Sequence, residues 1–98
     1  MAEPITIIAT QCAKPERRDD LQAQIRLLAA AARAEAGCLE YRVAVAQDSE
    51  DTFVFVERWA TREALDAHFH TEAFQAFWNA RMQYLTQDVD IVVASDFV

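Results

Sequence analysis

The spacing of apolar residues changes several times along this chain, and the order of those changes restricts the fold. Residues 5–13 alternate and are rich in β-branched side chains, which predicts a strand. Residues 15–35 carry apolar side chains at helical spacing and predict a long amphipathic helix. Two further strands are predicted at 38–47 and 52–60, joined by the polar turn at 48–51.

The second half of the chain continues the alternation of strands and helices. Thr61 and Thr71 are suited to cap helices at 62–70 and 72–85. The second of these has an apolar stripe of Phe74, Phe77, Trp78, Met82 and Leu85. A last strand is predicted at 88–95. The order strand, helix, strand, strand, helix, strand predicts an α+β, ferredoxin-like βαββαβ fold with an antiparallel four-stranded sheet.

A hairpin around residues 48–51 predicts which strand residues share a face of the sheet. One face holds the opposed pairs Val45–Phe53, Val43–Phe55, Tyr41–Glu57 and Leu39–Trp59. The other face holds Ala44, Val54, Val56 and a predicted ion pair between Glu40 and Arg58. Both faces therefore carry apolar residues, whereas helices cover only one. We expect the other face to meet a second copy of the sheet in a homodimer.

Composition excludes several classes of function. The chain has 98 residues, 53% hydrophobic and 26% charged, as expected of one folded domain over residues 1–98. The net charge of −7 argues against partners such as nucleic acid and membranes. Cys12 and Cys38 are too few for a disulfide framework, which predicts reduced thiols and a cytoplasmic location. The single glycine, Gly37, excludes a glycine-rich phosphate loop and is predicted to end the first helix.

Three segments occur in an order typical of a known family. The segments EAGCLEYRV (35–43), VERWAT (56–61) and REALDAHFHTEAFQAF (62–77) resemble the antibiotic biosynthesis monooxygenase family. Small bacterial proteins named as quinol monooxygenases are the nearest look-alikes. The resemblance implies a dimeric α+β barrel formed by two ferredoxin-like subunits.

The resemblance also implies a function, with alternatives. Its first implication is a cofactor-independent monooxygenase that oxidises a small quinol-like or polyphenolic aromatic with molecular oxygen. Autoinducer phosphate isomerases have a histidine at the position that matches His68, so an isomerase or lyase is the alternative function. A non-catalytic small-molecule-binding dimer is a third. The haem-degrading branch fits poorly, because Trp78 stands where its iron-binding histidine is expected and Thr10 or Gln11 where it has an asparagine.

Both histidines of the chain lie in the aromatic-rich stretch AHFHTEAFQAFW. On a helix, His68 and His70 diverge by about 200°, so they do not form a metal site together. His68 is a candidate base for removing a phenolic proton, because histidine titrates near neutral pH. It equally fits a packing residue at a helix junction. His70 is predicted to be solvated.

Glu57 is the second candidate catalytic residue. It shares one side of its predicted strand with three aromatic residues, and a carboxylate in such surroundings requires a hydrogen-bonding partner. Burial there would favour its protonated form and make it a candidate base, or it serves a structural hydrogen bond. The predicted walls of a substrate cavity are Tyr41, Phe55, Trp59, Phe74 and Trp78.

Overall fold

A computed structural model describes residues 3–98 and confirms the α+β, ferredoxin-like fold. Its strands are β1 (Ile5–Cys12), β2 (Cys38–Ala46), β3 (Ser49–Trp59) and β4 (Asp90–Ala94). Its α-helices are α1 (Arg18–Arg33), α2 (Arg62–Phe69) and α3 (Glu72–Ala80), with 3₁₀ turns at Pro15–Arg17 and Arg81–Gln83. The antiparallel strands form one sheet in the order β2-β3-β1-β4, with the helices packed on one face.

The two predicted threonine caps are confirmed. The Thr61 hydroxyl accepts a hydrogen bond from the Ala64 backbone N–H at 3.0 Å, and the Thr71 hydroxyl accepts one from Phe74 at 3.2 Å. Each bond satisfies one of the backbone N–H groups left free at a helix start. These caps fix the corner between α2 and α3, where His68 lies.

The predicted ends of two helices were wrong. The first helix ends at Arg33, four residues before Gly37. Gly37 instead forms the turn into β2 with φ 84°, and a Cβ there would lie 2.6 Å from the Cβ of Ala64. The last helix ends at Ala80 and continues as a 3₁₀ turn, which leaves Met82 exposed rather than in the apolar stripe.

The register of the central hairpin was predicted correctly except at its ends. Tyr41 lies opposite Glu57 and Val43 opposite Phe55. At the start of β2, a bulge places Cys38 opposite Trp59 and leaves Leu39 as an extra residue that is 56% exposed. The turn comprises residues 47–48 instead of 48–51, since Ala46 pairs with Ser49.

The face of the sheet away from the helices, here called the open face, carries Ile8, Val54, Val56 and Val92. Glu40 and Arg58 lie opposite each other on it, but the predicted ion pair between them was wrong. Glu40 instead approaches Arg42 at 3.9 Å, and Arg58 contacts Asp96 at 3.5 Å. Pairing of this face with a second copy stays a prediction. Within residues 3–98, no helix has the length and apolar character needed to span a membrane.

Candidate functional site

A narrow cavity lies between the helix-facing side of the sheet and α3, with a volume of about 40 Å³. Its lining includes six of the seven residues predicted for the site, namely Tyr41, Phe55, Glu57, His68, Phe74 and Trp78. Ile91 on β4 is an exposed member of the lining, and Phe69, Phe74, Trp78 and Val89 are half-buried. The cavity therefore opens at the β4 edge of the sheet.

His68 lies at the inner end of the cavity, on the last turn of α2, with its side chain only 4% exposed. Its Nδ1 atom lies 2.9 Å from Oε2 and 3.2 Å from Oε1 of Glu35. A carboxylate can only accept, so in the neutral tautomer that fits this contact Nδ1 carries the proton and Nε2 keeps the lone pair. Glu35 thus selects the tautomer whose Nε2 atom can act as a base.

Glu57 approaches the other side of the imidazole. Its Oε1 atom lies 4.0 Å from Nε2 of His68 and accepts a hydrogen bond from the indole N–H of Trp59 at 3.1 Å. Burial raises the pKa of Glu57, and the Trp59 hydrogen bond and the charge of His68 oppose that rise. His68 therefore lies between the carboxyl groups of Glu35 and Glu57. The Glu57 carboxyl group holds its own proton more strongly than an exposed glutamate does.

Trp59 was predicted as a cavity wall, but it is not among the residues that line the cavity. The residue is fully buried beneath the site, and its ring lies against the imidazole of His68 with centroids 4.4 Å apart. It contacts Glu57 and His68, and both of these residues line the cavity. Trp59 therefore holds both candidate acid–base groups in place and has no direct access to the cavity.

Aromatic rings form the remaining walls. Phe74 contacts His68 edge-on at 5.2 Å between centroids and stacks on Trp78 at 5.6 Å. The Arg81 guanidinium lies over the Trp78 ring, 3.9 Å from its centroid, and is itself paired with Asp88 at 2.7 Å. Trp78 and Phe74 together form the half-buried rim of the cavity.

Tyr41 completes the inner end, with its ring 6.0 Å from that of His68 and 6.1 Å from that of Phe55. Burial raises the pKa of Tyr41, and the charges of Glu57 and Glu35 raise it further. The phenol hydroxyl is therefore held in its neutral form, so Tyr41 is suited to hydrogen bonding rather than to proton abstraction.

Sequence reasoning missed two polar residues of the site. Glu35 follows α1 and contacts His68 across 33 residues, which no local pattern reveals. Gln11 lines the far end of the cavity, buried on β1. A signal for Gln11 was present, since it alternates with the inward-facing Ile7 and Ala9.

His70 lies on the surface, as predicted, and its Nδ1 is 2.7 Å from the Asp66 carbonyl oxygen. Within the described part of the chain, no three His, Cys, Asp or Glu side chains are grouped to hold a metal ion. The polar side chains that line the cavity thus include His68, Glu57, Tyr41 and Gln11, and Glu35 contacts His68 from outside the lining.

Together, the fold and the cavity define a ferredoxin-like α+β protein with a buried histidine and glutamate in an aromatic site. The antibiotic biosynthesis monooxygenase family model matches residues 4–80, and the chain belongs to this family. The resemblance found in the sequence is thereby confirmed.

Individual relatives support this assignment. The Bacillus subtilis protein named "Putative monooxygenase YcnE" is 32% identical over 81% of this chain and 83% of its own length. The uncharacterized Synechocystis protein sll1783 is 28% identical over 93% of this chain, which spans only 62% of that relative. The crystal structure of PA3566 from Pseudomonas aeruginosa is 35% identical, with a TM-score of 0.91 over 100% of this chain and 98% of that one.

Proposed function

We propose that this protein is a cofactor-independent monooxygenase that oxidises a quinol-like or polyphenolic aromatic with molecular oxygen. The observation that carries the proposal is the buried His68, flanked by Glu35 and Glu57 inside an aromatic cavity. Membership of a family with monooxygenase-named relatives supports the reaction type.

The first chemical step is removal of a phenolic proton by Nε2 of His68. Glu35 holds the proton on Nδ1 and stabilises the imidazolium that forms. Glu57, 4.0 Å from Nε2, lies where it can share the abstracted proton. Glu35 is a positioning residue in this scheme, because His68 separates it from the cavity.

The second step needs no redox group beyond the substrate and O₂. The phenolate is electron-rich and passes one electron to O₂, and the two radicals join at a ring carbon that carries hydrogen. The hydroperoxide takes its proton back from His68 and loses water, which leaves a carbonyl at that carbon. One oxygen atom of O₂ enters the product and the other leaves as water. The apolar walls contribute by excluding bulk water from the anion.

The same acid–base pair would also serve an isomerase or lyase, which is the second candidate. A phosphorylated substrate fits this cavity poorly, because none of its lining residues is Lys or Arg. Two carboxylates beside His68 would in addition repel a phosphate. An isomerase of this design would therefore act on an uncharged carbonyl compound.

Turnover under labelled oxygen tests the proposal. Purified protein is incubated with a panel of quinols and polyphenols under ¹⁸O₂, and products are identified by mass spectrometry. We expect one ¹⁸O atom in the product, catalysed oxygen uptake and no requirement for added flavin or metal. A panel that is isomerised without oxygen uptake would support the second candidate, and a panel left unchanged by saturating protein would contradict both.

A further inference from the structure

Gln11 marks the far end of the cavity as a second polar binding position. We propose that its side-chain carbonyl accepts a hydrogen bond from a second hydroxyl of the substrate, remote from the hydroxyl that His68 deprotonates. The preferred substrate would then be an elongated, flat phenol of two or more rings with hydroxyls near both ends. This inference rests on the proposed function and specifies its substrate.

The Gln11 side chain has an unsatisfied polar atom. The residue is 5% exposed, and its Oε1 is buried without a hydrogen-bonding partner. Burying such a carbonyl without a hydrogen-bonding partner is energetically unfavourable. Because Gln11 lines the cavity, a bound ligand could supply the hydrogen-bond donor that its Oε1 atom lacks.

The sheet neighbours of Gln11 offer no polar group that would help to hold a water molecule as that donor. Its neighbours on the same face of the sheet are Ala9 and Ala13 along β1 and Phe53 across from it on β3. None of these side chains offers a polar group, whereas a buried water needs about 2–4 polar partners. An aromatic hydroxyl held by its own ring needs only Gln11.

The register of the sheet sets the length of the ligand. Glu57 lies opposite Ile7 on β1, and Gln11 is four residues further along that strand. At about 3.3 Å per residue, the two positions are separated by about 13 Å along the strand direction. Between them lie Ala9 and Phe55, which form an apolar floor. A single benzene ring is too short to place hydroxyls at both ends of this floor.

The narrowness of the cavity agrees with a flat ligand. The volume of about 40 Å³ is smaller than a two-ring phenol, so the half-buried rim at Phe74 and Trp78 must move outward on binding. The exposed Ile91 beside this rim marks the side from which the ligand enters.

Binding measurements on a matched pair of ligands test the assignment without requiring turnover. Affinities of 2,6-dihydroxynaphthalene and 2-naphthol are measured anaerobically by quenching of tryptophan fluorescence, for the wild type and for Gln11→Met and Gln11→Leu. We expect the wild type to prefer the diol by about 5–30-fold, the worth of one neutral hydrogen bond of about 1–2 kcal/mol in a buried site. Both variants should bind the two ligands equally.

Urea unfolding of the same variants separates ligand recognition from a structural role. Replacing an unpaired buried carbonyl by an apolar group of similar shape should leave the free energy of unfolding unchanged or increased. A large loss of stability in both variants, or an unchanged preference for the diol in them, would overturn the assignment of Gln11 alone. Failure of the wild type to bind either naphthol would contradict the phenolic substrate class and therefore the proposed function as well.

Discussion

The Nδ1 atom of His68 lies 2.9 Å from Oε2 of Glu35, a residue 33 positions earlier that follows α1. Glu35 is 17% exposed and His68 only 4%. The contact therefore joins a buried imidazole to a carboxylate at the protein surface. In the proposed mechanism, this contact favours the tautomer with a lone pair on Nε2, on the cavity side.

Glu35→Gln should lower kcat by at least about tenfold while leaving KM nearly unchanged, because the wrong tautomer of the base is then populated. ¹⁵N NMR of His68 should show the proton on Nδ1 in the wild type and a mixture of tautomers in the variant. Glu63→Gln, at an exposed position on α2, is the matched control and should change neither quantity. Full activity of Glu35→Gln with an unaltered tautomer would leave Glu35 with a structural role only.

Glu57→Gln should change how stability depends on pH. The pKa of Glu57 is raised by burial above its ordinary value of 4.5, so folding favours the protonated form. The contribution of protonated Glu57 to the free energy of unfolding is fully present below pH 4.5 and is lost as pH rises through the pKa of Glu57 in the folded state. Wild-type protein should therefore lose stability relative to Glu57→Gln as pH rises above 4.5, until Glu57 is ionised in the folded state, as measured by urea unfolding. A difference that stays constant or moves the other way would show that Glu57 is ionised without penalty.

The open face is predicted to be the interface of a homodimer. Val56→Asp places a charge among the aliphatic residues of that face and should convert a dimer to monomers in sedimentation at micromolar concentration. Val45→Asp, on the helix-facing side of the edge strand, is the control and should remain dimeric. A monomeric wild type would contradict the prediction.

Metal and haem are predicted to be unnecessary. The expectation rests on the donor set, since the haem-ligand position holds Trp78, whose stacked indole offers no lone pair to iron. Elemental analysis of purified protein should find metal well below one atom per chain, and added haemin should give no histidine-ligated spectrum. Iron or zinc retained at one equivalent through dialysis against chelator would contradict this.

Periodicity along the chain was sufficient to predict the fold and most of the cavity. Alternation placed Tyr41, Phe55 and Glu57 on one side of the sheet, and the register confirms it. Helical spacing placed Phe74 and Trp78 on the same side of α3, and both line the cavity. Such patterns predict which face a side chain occupies because the faces of strands and helices repeat at fixed intervals.

Periodicity failed where contacts depend on depth or on distant residues. Trp59 occupies the predicted face of the sheet, but it is fully buried against Glu57 and does not line the cavity. Alternation along a strand carries no information on how deeply each side chain is buried. The contact of Glu35 with His68 depends on how α1 and α2 pack at the end of the sheet. The bulge at Leu39 shifts the register by one residue, and no glycine or proline in that strand signals it.

The central claim is that His68 is the base of an oxygen-dependent reaction, and steady-state oxygen uptake by His68→Gln tests it most directly. The substitution keeps much of the side-chain size and removes basicity near neutral pH. With a quinol that the wild type oxidises, we predict a fall in kcat of about 10²–10⁴-fold, the usual contribution of one positioned acid–base group. His70→Gln, on the exposed histidine, should retain wild-type turnover. Full turnover by a folded His68→Gln variant would contradict the claim and leave His68 as a packing residue.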